Sequence, residues 1–142
     1  MVYIWVMLTS NWKGQLAVSK VETHAMELGL VPNRPLLDCR YDVIIDDDKK
    51  LWRAQVKYAN GTSRNSIGAV TVNLAYETRQ RRNVYTYNDS EVDAFIVYVP
   101  KIDKLCWFPC SAFVGKKELS IRLEPPLNGQ KTKIFYAHDY FW

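Results

Sequence analysis

The chain has 142 residues, 48% of them hydrophobic and 24% charged, with a formal net charge of +4. That size and balance fit one domain, 1–142, with its own core; two would be crowded. No run approaches the roughly 20 apolar residues of a membrane span, and MVYIWVMLTSNWKG lacks the basic start and small-residue cleavage site of a signal peptide, so a soluble, intracellular (cytoplasmic) protein is expected.

In chain order, a helix comes first. Val18, Val21, Ala25 and Leu28 recur at i, i+3, i+7 and i+10 after Ser10 and Asn11, which are read as caps, and Gly29 is the stop. VPNRPLLDC, with Pro32 and Pro35, is then a connection, because proline lacks an amide donor and biases its predecessor away from helix. Strands follow over 41–46, 51–58 and 67–74, and again in DAFIVYVP and KLCWFP, all rich in Val, Ile, Tyr and Trp. DDDKK, NGTSRNS and KIDK are the turns, and the stretch after residue 74 is an irregular insertion. A short helical turn over 111–117, a last strand in ELSIRLEP and a tail ending DYFW complete the chain. The order of elements predicts an α/β fold, a mixed sheet with helical cover.

Cys39, Cys106 and Cys110 are odd in number and show no CxxC pairing, so a disulfide framework or zinc site is not expected and all three are read as buried thiols. The positive balance permits a polyanionic partner. Its distribution says more: Arg79, Arg81 and Arg82 stand between Tyr76, Tyr85 and Tyr87 in YETRQRRNVYTYN, a mixture suited either to phosphates and base edges or to a plain solvated loop.

The hairpin RYDVIIDDDKKLWRAQVKYA can be worked out by register. A turn centred on Asp48 and Lys49 sets Asp46 opposite Leu51, and therefore Asp42 opposite Gln55, with β-carbons about 4.5–5.5 Å apart. Alternation then gives Val43, Ile45, Trp52, Ala54 and Val56 to the apolar face, and Asp42, Arg53, Gln55 and Lys57 to the other. A carboxylate, an amide oxygen and a nearby peptide carbonyl are hard ligands suited to Mg²⁺. Lys57, two residues along, is placed to orient a water or stabilise phosphate charge. The competing reading is a cross-strand ion pair of Asp42 with Lys57 or Arg53 on an exposed face, worth under about 1 kcal/mol.

RYDVIIDD followed at this distance by RAQVK resembles the core of the PD-(D/E)xK nuclease superfamily, in which an acid on one strand faces an (E/Q)xK tripeptide on the next. The glutamine version resembles the cyanobacterial group I intron-encoded homing endonucleases. WKGQLAVSKVETHAMELGL is similar to that family's opening helix, and SEVDAFIVYVP, DKLCWFP and RLEPPLNGQ to its later blocks, so the resemblance runs from about residue 12 to the end. It implies a restriction-endonuclease-like mixed β-sheet flanked by helices. It also implies a metal-dependent, sequence-specific endonuclease acting on double-stranded DNA.

Carried over residue by residue, the resemblance makes Asp42 the metal aspartate, Gln55 the glutamine of QxK, Lys57 the catalytic lysine and the Val56 carbonyl a further metal ligand, with Mg²⁺ or another divalent cation as cofactor. One piece departs from the pattern. The family places a Glu three or four residues after the KG glycine, where this chain has Ala17 and Val18. Either this is a natural variant using another acid, for which Glu22 is a candidate, or it is an inactivating substitution with Ala17 as the altered position. The alternative function is a catalytically silent DNA-binding module on the same scaffold, and a structural or interaction protein with a basic loop is a third reading.

For DNA contact the candidates are Arg64, Asn65, Arg79, Gln80, Arg81 and Arg82, residue types that read purines, with Lys13 at a helix start meeting the backbone. A subunit of this length covers little duplex, whereas family members recognise long sites, so a homodimer or homotetramer is expected. His24, His138, Trp107, Phe108, Phe113 and the terminal Tyr140, Phe141 and Trp142 are assigned to packing or surface.

Overall fold

The computed structural model describes residues 9–62, 67–77 and 84–142. Helix α1, Ser10–Glu27, is capped by Thr9 rather than Ser10 or Asn11. Thr9 is extended, and its hydroxyl accepts the Trp12 N–H at 3.4 Å, so both expected caps fall inside the helix. At the other end Gly29 has φ 76°. The Leu30 N–H reaches the Ala25 carbonyl and the Gly29 N–H that of Met26, closing a Schellman motif that needs the left-handed glycine. Leu28, predicted to be the last core position, is the C-cap and 52% exposed. The buried stripe is Ala17, Val18, Val21 and Ala25.

The main sheet contains five strands in the order β1-β2-β3-β8-β9. They are β1 (Val31–Asn33), β2 (Val43–Asp46), β3 (Leu51–Tyr58), β8 (Ala94–Val99) and β9 (Lys104–Pro109). β3 and β8 are parallel and the other pairs antiparallel, so the sheet is mixed. β1 lies within the segment expected to be a connection. Its Val31 and Asn33 pair with Asp46 and Ile44, and three residues are too short a run to show alternation.

The remaining strands do not extend this sheet. β4 (Gly61–Thr62), β5 (Ala69–Asn73), β10 (Glu118–Arg122) and β11 (Phe135–Tyr136) form a second one, ordered β11-β10-β5-β4, and β6 (Ala75–Glu77) pairs with β7 (Val84–Thr86) in the stretch expected to be irregular. A short helix α2 covers Cys110–Phe113.

Two apolar cores result, one on each face of the main sheet. Ala17, Val18, Val21 and Ala25 of α1 pack on Val43, Ile45, Ala54, Val56, Ile96 and Tyr98. On the other face Phe95, Val97, Val99, Cys106 and Phe108 meet Val70, Val72, Leu119 and Ile121 of the second sheet. β8 is therefore buried along its whole length, which explains its unbroken apolar sequence. The tail closes the β9 edge, with the Trp107 N–H donating to the Tyr140 carbonyl and the Trp142 N–H to that of Leu105. Tyr140 stacks on Phe108 and Trp142 packs on Trp107. The three cysteines are free, but Cys39 is exposed, Cys110 half-buried and only Cys106 buried.

Candidate active site

The β2–β3 turn is built by its aspartates. Asp46 accepts from the Asp48 N–H, Asp47 accepts from the Lys49 and Lys50 N–H groups and from the Trp52 indole, and Asp48 has φ 66°. With these side chains consumed locally, the chain reverses over 47–50, the Asp47 N–H donating to the Lys50 carbonyl at 3.3 Å, and Asp46 faces Leu51. The expected register therefore holds, and continuing it sets Asp42 against Gln55. Two bonds lock Asp42 there, its N–H donating to the Ala54 carbonyl at 3.0 Å and its Oδ2 accepting the Val56 N–H at 2.9 Å.

Because a strand residue's N–H and C=O leave on the same edge, the Val56 carbonyl opens toward Asp42 as well. The Asp42 carboxylate, the amide of Gln55 opposite it in register and the Val56 carbonyl are hard oxygen donors that could hold a divalent cation with much of its hydration kept. Among the described residues no group of three His, Cys, Asp or Glu side chains converges, so the donor set is low in charge.

Asp42 and Lys57 are both half-buried. Burial raises the Asp42 carboxyl above its ordinary value, opposed by the Val56 N–H and the Lys57 charge and assisted by the Asp38 charge. Burial likewise lowers the Lys57 ammonium, with Asp42 pulling the other way. Among the described residues neither expected ion pair of Asp42 closes. Arg53 is drawn off to the β7–β8 connection, where it holds Asp93 at 3.1 and 3.2 Å and the Ser90 and Asp89 carbonyls. An acid and a base sharing a half-buried face without joining are available to a third group.

Tyr87 covers this face. The Lys57 Nζ lies 5.6 Å from its ring centroid, and its phenol is pushed up to about 12 by burial and then by the Asp42 charge. Sequence reasoning grouped Tyr76 and Tyr87 with a DNA-contacting loop. Tyr87 instead packs edge-on against Phe95 and Tyr76, and the Arg40 guanidinium sits 3.9 Å over Tyr76. Asp38 and Arg40 lie in a proline-bounded stretch that reads as connection, so its pattern assigns them no role. Asp38, four residues before Asp42, was the available signal.

Ala17 and Val18 lie against the sheet at 0% and 6% exposure, within the apolar core under α1. Glu22 is not free to replace a helix acid, since the Arg34 guanidinium grips both its oxygens and also donates to the Gln15 Oε1 at 3.3 Å. Lys13 is half-buried near the start of α1, whose first turn carries no acid. Arg64, Asn65, Arg79, Gln80, Arg81 and Arg82 lie outside the described residues.

A family model described as PD-(D/E)XK endonuclease matches residues 8–142. The chain belongs to this family. Among solved structures, this PD-(D/E)XK endonuclease is similar to the bacterial homing endonuclease I-Ssp6803I, at 22% identity and a TM-score of 0.76 over 94% of this chain and 89% of that one. At such identity the likeness shows the fold, a restriction-endonuclease-like mixed sheet. Hjc, a Holliday junction resolvase of Archaeoglobus fulgidus, aligns at 10% identity and a TM-score of 0.49 over 78% and 84% of the two chains. No curated protein matches the chain. Among its described residues, no helix of the endonuclease is long and apolar enough to cross a membrane.

Proposed function

We propose that the protein is a sequence-specific endonuclease of the homing type, hydrolysing phosphodiester bonds of double-stranded DNA with Mg²⁺ or another divalent cation. One observation carries this reading: Asp42, Gln55 and Lys57 share a half-buried face on which the carboxylate and the ammonium stay unjoined. Asp42, Gln55 and the Val56 carbonyl would hold the cation, which lowers the pKa of a bound water and polarises a phosphoryl oxygen. Asp38, whose charge acts on Asp42, is the nearby acid that adds to their negative charge. Lys57 orients the attacking water and offsets charge growing on the phosphate, at a place where water is partly excluded and such an interaction is strengthened. Lys13, Arg64, Asn65, Arg79, Gln80, Arg81 and Arg82 supply DNA contacts. Lys13 stands near a helix N-terminus, where a cation opposes the helix dipole and a phosphate would compensate. Assembly into a homodimer or homotetramer would extend the length of duplex read.

A second reading, a silent DNA-binding module, is favoured by the apolar burial of Ala17 and Val18 where the family pattern expects an acid. One experiment separates the two. Supercoiled DNA is incubated with Mg²⁺ and the protein, then with Ala17→Glu and separately Val18→Glu. Nicking or linearisation by any of them supports the endonuclease, whereas tight binding of one duplex without cutting by all three establishes the module. Absence of salt-dependent DNA binding would sink both.

A further inference from the structure

Among the described residues Arg122 is the one charged side chain in the buried class, 8% exposed at the end of β10. Arginine is almost never buried so deeply unless paired, yet among the described residues no carboxylate forms an ion pair with it. Its Nε donates to the Glu124 carbonyl at 3.0 Å and its Nη2 to the Ile67 carbonyl at 2.9 Å. Both acceptors are neutral carbonyls, so among the described residues the guanidinium is held by hydrogen bonds alone. Arg122 also lines a cavity of the second sheet.

That cavity measures about 340 Å³ and is walled by Ile67, Ser120, Asn128, Gln130 and Lys133 among others. It holds two cations, Arg122 and Lys133, and no carboxylate. Lys133 is exposed and has φ 56°, a left-handed backbone that lysine seldom adopts. A buried guanidinium and an exposed ammonium lining one cavity without a carboxylate suit an anionic oxygen group, and a planar guanidinium suits phosphate. The setting favours a polymer over a free ion. The cavity is open to solvent, it belongs to the second sheet rather than the sheet bearing Asp42 and Lys57, and its wall includes Ile67, which directly follows the segment 63–66 carrying Arg64 and Asn65.

We propose that the Arg122–Lys133 cavity seats a backbone phosphate of duplex DNA other than the one being cut, fixing the register of the duplex on the second sheet. This rests on the DNA-binding reading above. The partner is recognised by phosphate charge alone, so the site adds affinity without base preference.

The test uses the full chain, a mixed-sequence duplex and titrations from about 50 to 200 mM salt. Lys133→Gln, at an exposed position, should weaken binding about eightfold at about 0.1 M salt and flatten the slope of log K against log salt by about 0.9, the counterion-release value for one phosphate contact. Arg122→Lys keeps the charge but loses the fork, and should weaken binding with the slope kept. If Arg122→Lys fails to fold by circular dichroism, Lys133→Gln alone decides. Unchanged affinity and slope in Lys133→Gln, while the parent binds DNA in a salt-dependent way, overturns the inference and leaves the nuclease reading intact. No salt-dependent DNA binding by the parent removes the nuclease reading itself. Inorganic phosphate is the remaining probe: a rise in Tm at matched ionic strength that Lys133→Gln abolishes, with DNA binding unaltered, assigns the cavity to a free anion and overturns the DNA assignment.

Discussion

Lys57→Met separates a catalytic ammonium from a structural one. Methionine keeps the unbranched stem and much of its volume while removing the charge. In the folded chain burial lowers the Lys57 ammonium, with the Asp42 charge only opposing that effect, and among the described residues no carboxylate closes an ion pair with it. Substitution thus removes a desolvation cost that outweighs the longer-range attraction to Asp42, so no large loss of stability follows. The expected stability change is within about 1 kcal/mol of zero, a Tm shift inside roughly 4 °C for a chain of this size. A closed buried pair broken on one side would instead cost about 3–5 kcal/mol, or roughly 10 °C and more. Losing a charge aimed at the reacting phosphate should slow cleavage by about 10²–10³, with duplex affinity roughly kept. Thermal melting, plasmid cleavage and duplex titration on one preparation read all three. Cleavage within a few-fold of the parent, or a melting drop near 10 °C alongside lost activity, would refute the reasoning.

Asp42 makes a pH prediction in metal-free buffer containing EDTA. Its folded pKa lies above the unfolded one, so its favourable contribution is complete below the ordinary carboxylate range and is lost as pH rises through the folded pKa. The melting temperature of Asp42→Asn relative to the parent should therefore climb across that window and then level, and a relative fall with rising pH would contradict the assignment. Ala17→Glu buries a carboxylate among apolar side chains and should lower Tm without metal. Excess Mn²⁺ should restore it at position 17 if the carboxylate reaches the ion, by about 2.7 kcal/mol at a hundred times Kd; recovery only in Val18→Glu would move the expected acid by one residue. Asp38→Asn, at an exposed position, should weaken Mn²⁺ binding measured by calorimetry with Tm held, and an unchanged affinity removes Asp38 from the site. Arg53→Ala loses the clamp on Asp93 and the Ser90 and Asp89 carbonyls. It should cost about 1–2 kcal/mol, seen as a lower denaturant midpoint at unchanged m-value.

Most of the candidate site was legible because its residues lie within one hairpin. Alternation and a tight turn fixed by its own aspartates set which residues oppose each other, so Asp42, Gln55 and Lys57 could be gathered before any tertiary contact was known. Arg53 shared their face in that pattern, and only the fold drew it away, since Asp93 lies 40 residues on and arrives with β8. Tyr87 escaped for the same reason. Its burial against Phe95 and its position over Lys57 depend on how the β6–β7 pair lies on the sheet.

Local spacing by itself determined α1, with Gly29 as its stop, the hairpin register and the apolar run of β8, because each follows from helical or strand periodicity and turn chemistry within a few residues. Long-range packing decided the rest. The division into two sheets, the parallel pairing of β3 with β8 and the burial of Arg122 beside a cavity of the second sheet bring together residues tens of positions apart. No local period encodes such meetings. The free energy that fixes them comes from burying Val70, Val72, Leu119 and Ile121 against Phe95 and Val97, an apolar term that depends on area removed from water rather than on sequence neighbours.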